Sequence, residues 1–165
     1  MRAEVEGVYT LELAKEDFKF SCAHFTLFGA DEAELLHGHN YQVAVEVTGR
    51  RLDEEGMLVS FVEIKNAVRA ACRRLDSLTL IPAHSRHLEI AEKDGGIEVR
   101  FGERRYVFPE KDVLLLPIAN TSVELFARML WQELVATLPD AGFDALGVRV
   151  AETAGQSCFF RAPLR

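Results

Sequence analysis

Residues 41–48, YQVAVEVT, alternate with a period of two. Tyr41, Val43, Val45 and Val47 fall on one side, and Gln42, Glu46 and Thr48 on the other. That period fits a half-buried strand and no helix, because successive strand side chains point to opposite faces. Gly49 and the charged run RRLDEEG then signal a turn. A second alternation lies upstream in FKFSCAHF, residues 18–25. There Phe18, Phe20, Cys22 and His24 share one face, and Lys19, Ser21 and Ala23 the other.

Two segments carry the helical period instead. SFVEIKNAVRAACRRLD opens with Ser60 and Glu63 at capping-box spacing, and Phe61, Ile64, Val68, Ala71 and Leu75 form its apolar stripe. NTSVELFARMLWQELVATLPD repeats the pattern with Thr121 and Glu124. Val123, Phe126, Ala127, Leu130, Leu134 and Leu138 make its stripe, and Pro139 is expected to end it. ALGVRVAET and SCFFRA then read as two closing strands. Between the helices, at about residues 83–118, three short strand-like runs are separated by KDGG and GER, which predicts a hairpin or meander insert. The order is β-β-α-(insert)-α-β-β. It predicts an α+β fold, an antiparallel sheet with both helices on one face.

The other sheet face carries Lys19, Ser21, Gln42, Ala44 and Glu46, which is only moderately polar and predicts a homo-oligomer. At 165 residues the chain suits a single domain spanning 1–165. A net charge of −7 argues against nucleic acid as a partner, since a phosphate-binding face needs clustered cations. It leaves room for a small anionic substrate. Cys22, Cys72 and Cys158 are odd in number and without close pairing, so free thiols are expected. Neither an apolar run of membrane-spanning length nor a signal-type leader is seen, which gives the expectation of no membrane association and a cytoplasmic setting.

The chain has five histidines, and three of them fall in phase. His37 and His39 continue the face of Tyr41 and Val43; His24 continues that of Phe18 and Phe20. If the two strands pair, three imidazoles meet near one sheet end. Three neutral imidazoles with an open fourth position are the donor set of a catalytic zinc site, though iron, nickel and copper also accept imidazole. For the H-G-H pair alone, histidines satisfied within a core are an equal reading. Gly38 between the two ligands is expected to allow a close backbone approach.

FKFSCAHF, HGHNYQVAVEVTG, GMLVSFVEIK, RLD, NTSVEL and VRVAET occur in an order that resembles the 6-pyruvoyl-tetrahydropterin synthase and 6-carboxytetrahydropterin synthase family. The resemblance spans nearly the whole chain apart from the insert. It implies a tunnelling fold, an antiparallel four-stranded sheet with two helices on one face, assembled as a homohexamer of two stacked trimers. It implies Zn²⁺ held by His24, His37 and His39, and 7,8-dihydroneopterin triphosphate as the substrate class. Glu152 matches the glutamate that anchors the pterin, a task suited to a carboxylate accepting two parallel N–H bonds. Thr121 and Ser122 fall where the family has threonines near the pterin, and either could also cap the helix.

Three departures stand out. The family's catalytic cysteine position is Ala33, whereas Glu34 completes the E-x-x-H-G-H pattern of a branch that cleaves the side chain to 6-hydroxymethyl-7,8-dihydropterin. The family's L-D-H reads Leu75-Asp76-Ser77, so Asp76 remains as a catalytic candidate from a neighbouring subunit without its histidine. His84 or His87 could stand in for it. The third departure is the insert, expected at the substrate entrance. Glu34 is therefore expected to be the general base, with burial raising its pKa into the working range. The alternatives are 6-pyruvoyl- or 6-carboxy-tetrahydropterin synthesis, or pterin binding without the family's chemistry.

Overall fold

The structure is a computed structural model and describes residues 7–138 and 142–164. β1 (Tyr9–Leu13), β2 (Lys19–His24) and β3 (His37–Gly49) are followed by α1 (Phe61–Leu75) and β4 (Leu78–Pro82). The insert then supplies β5 (Glu89–Lys93), β6 (Gly96–Phe101) and β7 (Arg104–Pro109). β8 (Val113–Leu116), α2 (Val123–Thr137), β9 (Ala145–Thr153) and β10 (Gln156–Pro163) complete the chain.

β10, β9 and β3 form an antiparallel ladder, and the long β3 pairs along its other edge with β1 and then β2. This is the expected four-wide antiparallel sheet. It is larger than expected, because β1 adds a strand beside β3 and because β4 and β8 add parallel strands beyond β2, bringing the sheet to seven. These two strands bracket the meander. The excursion from the main sheet is therefore shorter than 83–118, and β8 falls within that span. Ser77, with φ of 62°, turns the chain from α1 into β4.

Both helices cover the face bearing the valines of β3. Ile64, Val68, Ala71 and Leu75 of α1, and Phe126, Leu130 and Leu134 of α2, are buried against Val43, Val45, Val47, Val148 and Val150. Each such large side chain contributes about 1.5–3 kcal/mol on burial. Phe61 departs from its expected place: it opens the first turn of α1 and is 44% exposed. Ser60 caps α1 by accepting from Val62 N. In α2 the cap is Ser122, which accepts from Leu125 N, rather than Thr121. The helix ends at Thr137 with Leu138 as its C-cap, and the expected stop at Pro139 lies outside the described residues.

The meander is a three-stranded sheet of its own, β5-β6-β7. Its first hairpin turns through Asp94 (φ 51°) and Gly95 (φ 75°), the Asp-Gly chemistry of a tight primed turn. Ile97, Val99 and Phe101 of β6 form a second hydrophobic cluster with Phe25, Leu27 and Ile81.

Candidate active site

Antiparallel register sets His24 opposite His37 and Cys22 opposite His39. Cross-strand partners share a face, so the three imidazoles project together at the end of the sheet's helix-covered side. Ring centroids are 4.9 Å apart for His24–His37, 5.3 Å for His24–His39 and 4.6 Å for His37–His39. One nitrogen from each ring lies within 4.8 Å of the others. His24 is fully buried, while His37 and His39 are partly exposed. Burial, then the neighbouring His37 and His39, push the His24 pKa down to about 4, so the ring is neutral, as a metal ligand must be.

Hydrogen bonds assign the tautomers. His37 Nδ1 donates to Leu35 O at 2.7 Å, which leaves the lone pair on Nε2. Tyr41 donates its one proton to Glu152 Oε1 at 3.2 Å, since a carboxylate only accepts. His24 Nε2 therefore donates to the Tyr41 oxygen, 3.0 Å away. Its other nitrogen, Nδ1, is buried with no hydrogen-bond partner among the described residues. Three imidazole nitrogens that converge this closely are a donor set that suits a divalent ion. The residues therefore fit a metal ion.

Glu152, near the end of β9, also lies 3.2 Å from His39 Nε2. Its Oε1 accepts from Tyr41 and lies close to His39 as well, which places a carboxylate beside the histidine cluster. Tyr41 carries more of the site than the sequence indicated. By parity it belonged to the core face, and the one available signal was its place two residues after His39 in an otherwise valine-rich strand.

Glu34 sits in the loop that joins β2 to β3. Its Oε2 accepts from Thr26 N at 2.9 Å and lies 3.9 Å from His37 Nε2. Desolvation pushes the Glu34 pKa up, but the N–H and hydroxyl of Thr26 and the nearby His37 outweigh it. The carboxyl is held below its ordinary range, so the expected upward shift is reversed. Burial pushes the thiols of Cys22 and Cys72 up to about 12.

The remaining expected residues are placed differently. Thr121 is buried and donates its hydroxyl to Phe25 O at 2.8 Å, beside its neighbour Ser122 at the helix cap. Asn120, which the sequence reading passed over, pairs its amide with both Leu27 O (2.8 Å) and Leu27 N (3.0 Å), acting as a strand partner. Asp76 caps the C-terminus of α1 and accepts from Ser21 N at 2.7 Å and from the Ser77 hydroxyl. Ser21 points away from the histidine face, and Ser21 and Ser77 line a cleft of about 500 Å³ with Asn40. His39 borders the same cleft, and no hydrogen bond joins Asp76 to the histidines among the described residues. His84 and His87 line a separate cavity with Leu27 and Asn120, away from Ser77. A Cβ on Gly38 would meet only Cys22 O at 3.8 Å, an ordinary contact, so the expected close approach is absent within the chain.

An α+β sheet with two helices on one face, ending in three convergent imidazoles and two carboxylates, defines a small enzyme with a three-histidine centre. Residues 12–163 match the family profile described as 6-pyruvoyl tetrahydropterin synthase, and the chain belongs to that family. A Methanocaldococcus jannaschii protein, whose name assigns it provisionally as a 6-carboxy-5,6,7,8-tetrahydropterin synthase, is 30% identical over 98% of this chain and 96% of its own. The Bacillus subtilis 6-carboxy-5,6,7,8-tetrahydropterin synthase is 41% identical over 39% of this chain and 44% of its own. The crystal structure of Plasmodium vivax 6-pyruvoyl tetrahydropterin synthase superposes with a TM-score of 0.91 at 26% identity, covering 96% of this chain and 100% of that one. A variant of that Plasmodium protein is described by the replacement of a catalytic glutamate by alanine. No described helix is long and apolar enough to cross a membrane.

Proposed function

We propose that the chain is a zinc-dependent lyase of 7,8-dihydroneopterin triphosphate that cleaves the side chain to 6-hydroxymethyl-7,8-dihydropterin, with Glu34 as the base. The observation that carries this reading is Glu34 itself, 3.9 Å from His37 beside the histidine cluster, with Ala33 where the family carries a thiol. The catalytic glutamate of the Plasmodium relative supports the same role. His24, His37 and His39 would hold the ion. Bound there, zinc supplies a Lewis acid that lowers the pKa of substrate hydroxyls.

Glu34, ionised at neutral pH, takes the proton of the hydroxyl on the second side-chain carbon. As that oxygen becomes a carbonyl, the bond to the first carbon breaks and its electron pair passes to the pterin side. Protonation there gives the hydroxymethyl product, a retro-aldol balance. Glu152 holds the pterin edge through Oε2, its Oε1 already accepting from Tyr41. The Thr121 oxygen and the Ser122 proton remain available to the ring, since Thr121 donates to Phe25 and Ser122 accepts from Leu125. In this reading Asp76 serves the site of a neighbouring subunit within a homohexamer. Its hydrogen bonds to Ser21 and Ser77, with none to the histidines among the described residues, support that arrangement.

The names of the Methanocaldococcus and Bacillus relatives favour a second reading, 6-carboxy-tetrahydropterin synthesis. Incubation with 7,8-dihydroneopterin triphosphate and identification of the product by mass separates the two. The 6-hydroxymethyl product is expected. A 6-carboxy or 6-pyruvoyl product would establish the alternative, and tight pterin binding without turnover would leave only a binding protein.

A further inference from the structure

The loop carrying Glu34 joins His24 to His37, yet its apolar side chains do not enter the main core. Phe25 and Leu27 are buried with Ile97, Val99 and Phe101 of the meander, and Phe25 stacks on Tyr106 at 5.4 Å. The polar tie comes from Arg104, the first residue of β7. Its Nη1 donates to Glu34 O at 2.7 Å and to Ala33 O at 3.2 Å. Its guanidinium lies 5.8 Å from the centre of the Phe101 ring. Arg104 makes no ion pair among the described residues, so its hydrogen bonds serve the backbone of this loop. From the other side, Glu34 N donates to Thr26 O at 2.9 Å, and Thr26 N donates to the Glu34 carboxylate. Residue 34 is thereby held at its carbonyl, its amide and its side chain.

We propose that Arg104 is a positioning residue for Glu34, and that the inserted meander aims the base through the hydrogen bonds of this side chain. The inference rests on the reading of Glu34 as the base. Releasing the Ala33 and Glu34 carbonyls frees the peptide that carries the carboxylate. A displacement of about 1 Å in a reacting group costs on the order of 100-fold in rate. A guanidinium suits this task, because the two N–H groups of Nη1 can reach two neighbouring carbonyls at once.

The test compares Arg104→Met and Arg104→Lys in the full zinc-loaded chain, each alone and with Glu34→Ala. Arg104→Met is expected to lower kcat roughly 10- to 100-fold with KM changed by less than about 3-fold, and with metal content unchanged. Arg104→Lys keeps a cationic donor and is expected to recover part of the loss. With Glu34→Ala already present, Arg104→Met should add no further loss, since both act through one group. Hydrogen exchange at the Thr26 and Glu34 amides should be faster in Arg104→Met. Wild-type exchange there overturns the proposal, as does an undiminished further loss of rate in the double variant. Arg104→Gln, with a shorter donor, replaces the Met variant if that fails to fold. Full turnover in Glu34→Ala alone would remove the base assignment, and amide exchange would still decide whether Arg104 holds the loop.

Discussion

Tyr41 donates its hydroxyl proton to Glu152 across 3.2 Å while its oxygen stands 3.0 Å from His24 Nε2, so one hydroxyl ties the buried imidazole to the carboxylate. Tyr41→Phe keeps the ring packing and removes this tie. Loss of a partner that orients a ligand imidazole typically costs 10- to 100-fold in metal affinity, and a drop of about that size is expected in chelator competition. The buried hydrogen bond itself adds only about 0.5–1.5 kcal/mol, so the fold should persist by circular dichroism. Unchanged affinity would show that His24 needs no such guide.

Glu34→Ala should lower turnover by about 10²–10⁴-fold, the range of a lost general base. Zinc content should stay at the wild-type level, because the proposed ligands are all imidazoles. Wild-type turnover in this variant would take Glu34 out of the chemistry.

His37→Ala removes one of three donors and the ring that links His24 to Glu34. The purified variant is expected to carry no stoichiometric metal by elemental analysis. One zinc per chain in that variant would sink the proposed ligand set.

Glu98 supplies a pH prediction away from the site. Hydrogen bonds from Arg105 and Arg100 hold its pKa down at about 2, against an ordinary value of 4.5. A carboxyl depressed in the folded state stabilises above its unfolded pKa, and that contribution fades as pH falls toward the folded value. The wild-type protein should therefore exceed Glu98→Gln in denaturant midpoint at neutral pH. The gap should narrow as pH falls through 4.5 and close near 2. A gap independent of pH would mean that the two arginines contribute packing rather than charge.

What the sequence revealed follows from locality. His24, His37 and His39 could be grouped because strand parity needs only two correctly read strands. The Asp94–Gly95 turn was legible for the same reason, since its chemistry lies in adjacent residues. β4 and β8 were missed because parallel pairing joins distant segments, and LTLIP and VLLL are short apolar runs with no period of their own. The α2 cap was misplaced by one because Thr121 and Ser122 are both good caps and only the backbone decides between them. Arg104 left no trace, since a side chain that binds carbonyls needs no complementary residue. The pKa direction of Glu34 was misjudged because the opposing Thr26 N–H belongs to the backbone.

The pairing of His24 directly with His37 ties metal capture to strand alignment. A slip of one residue between β2 and β3 would turn one strand's imidazoles to the opposite face and scatter the donors. Metal uptake would then report that this hairpin has closed in its correct frame. A chain that had collapsed out of register would remain empty, so its ion would mark the correctly folded molecules and sort them from the rest.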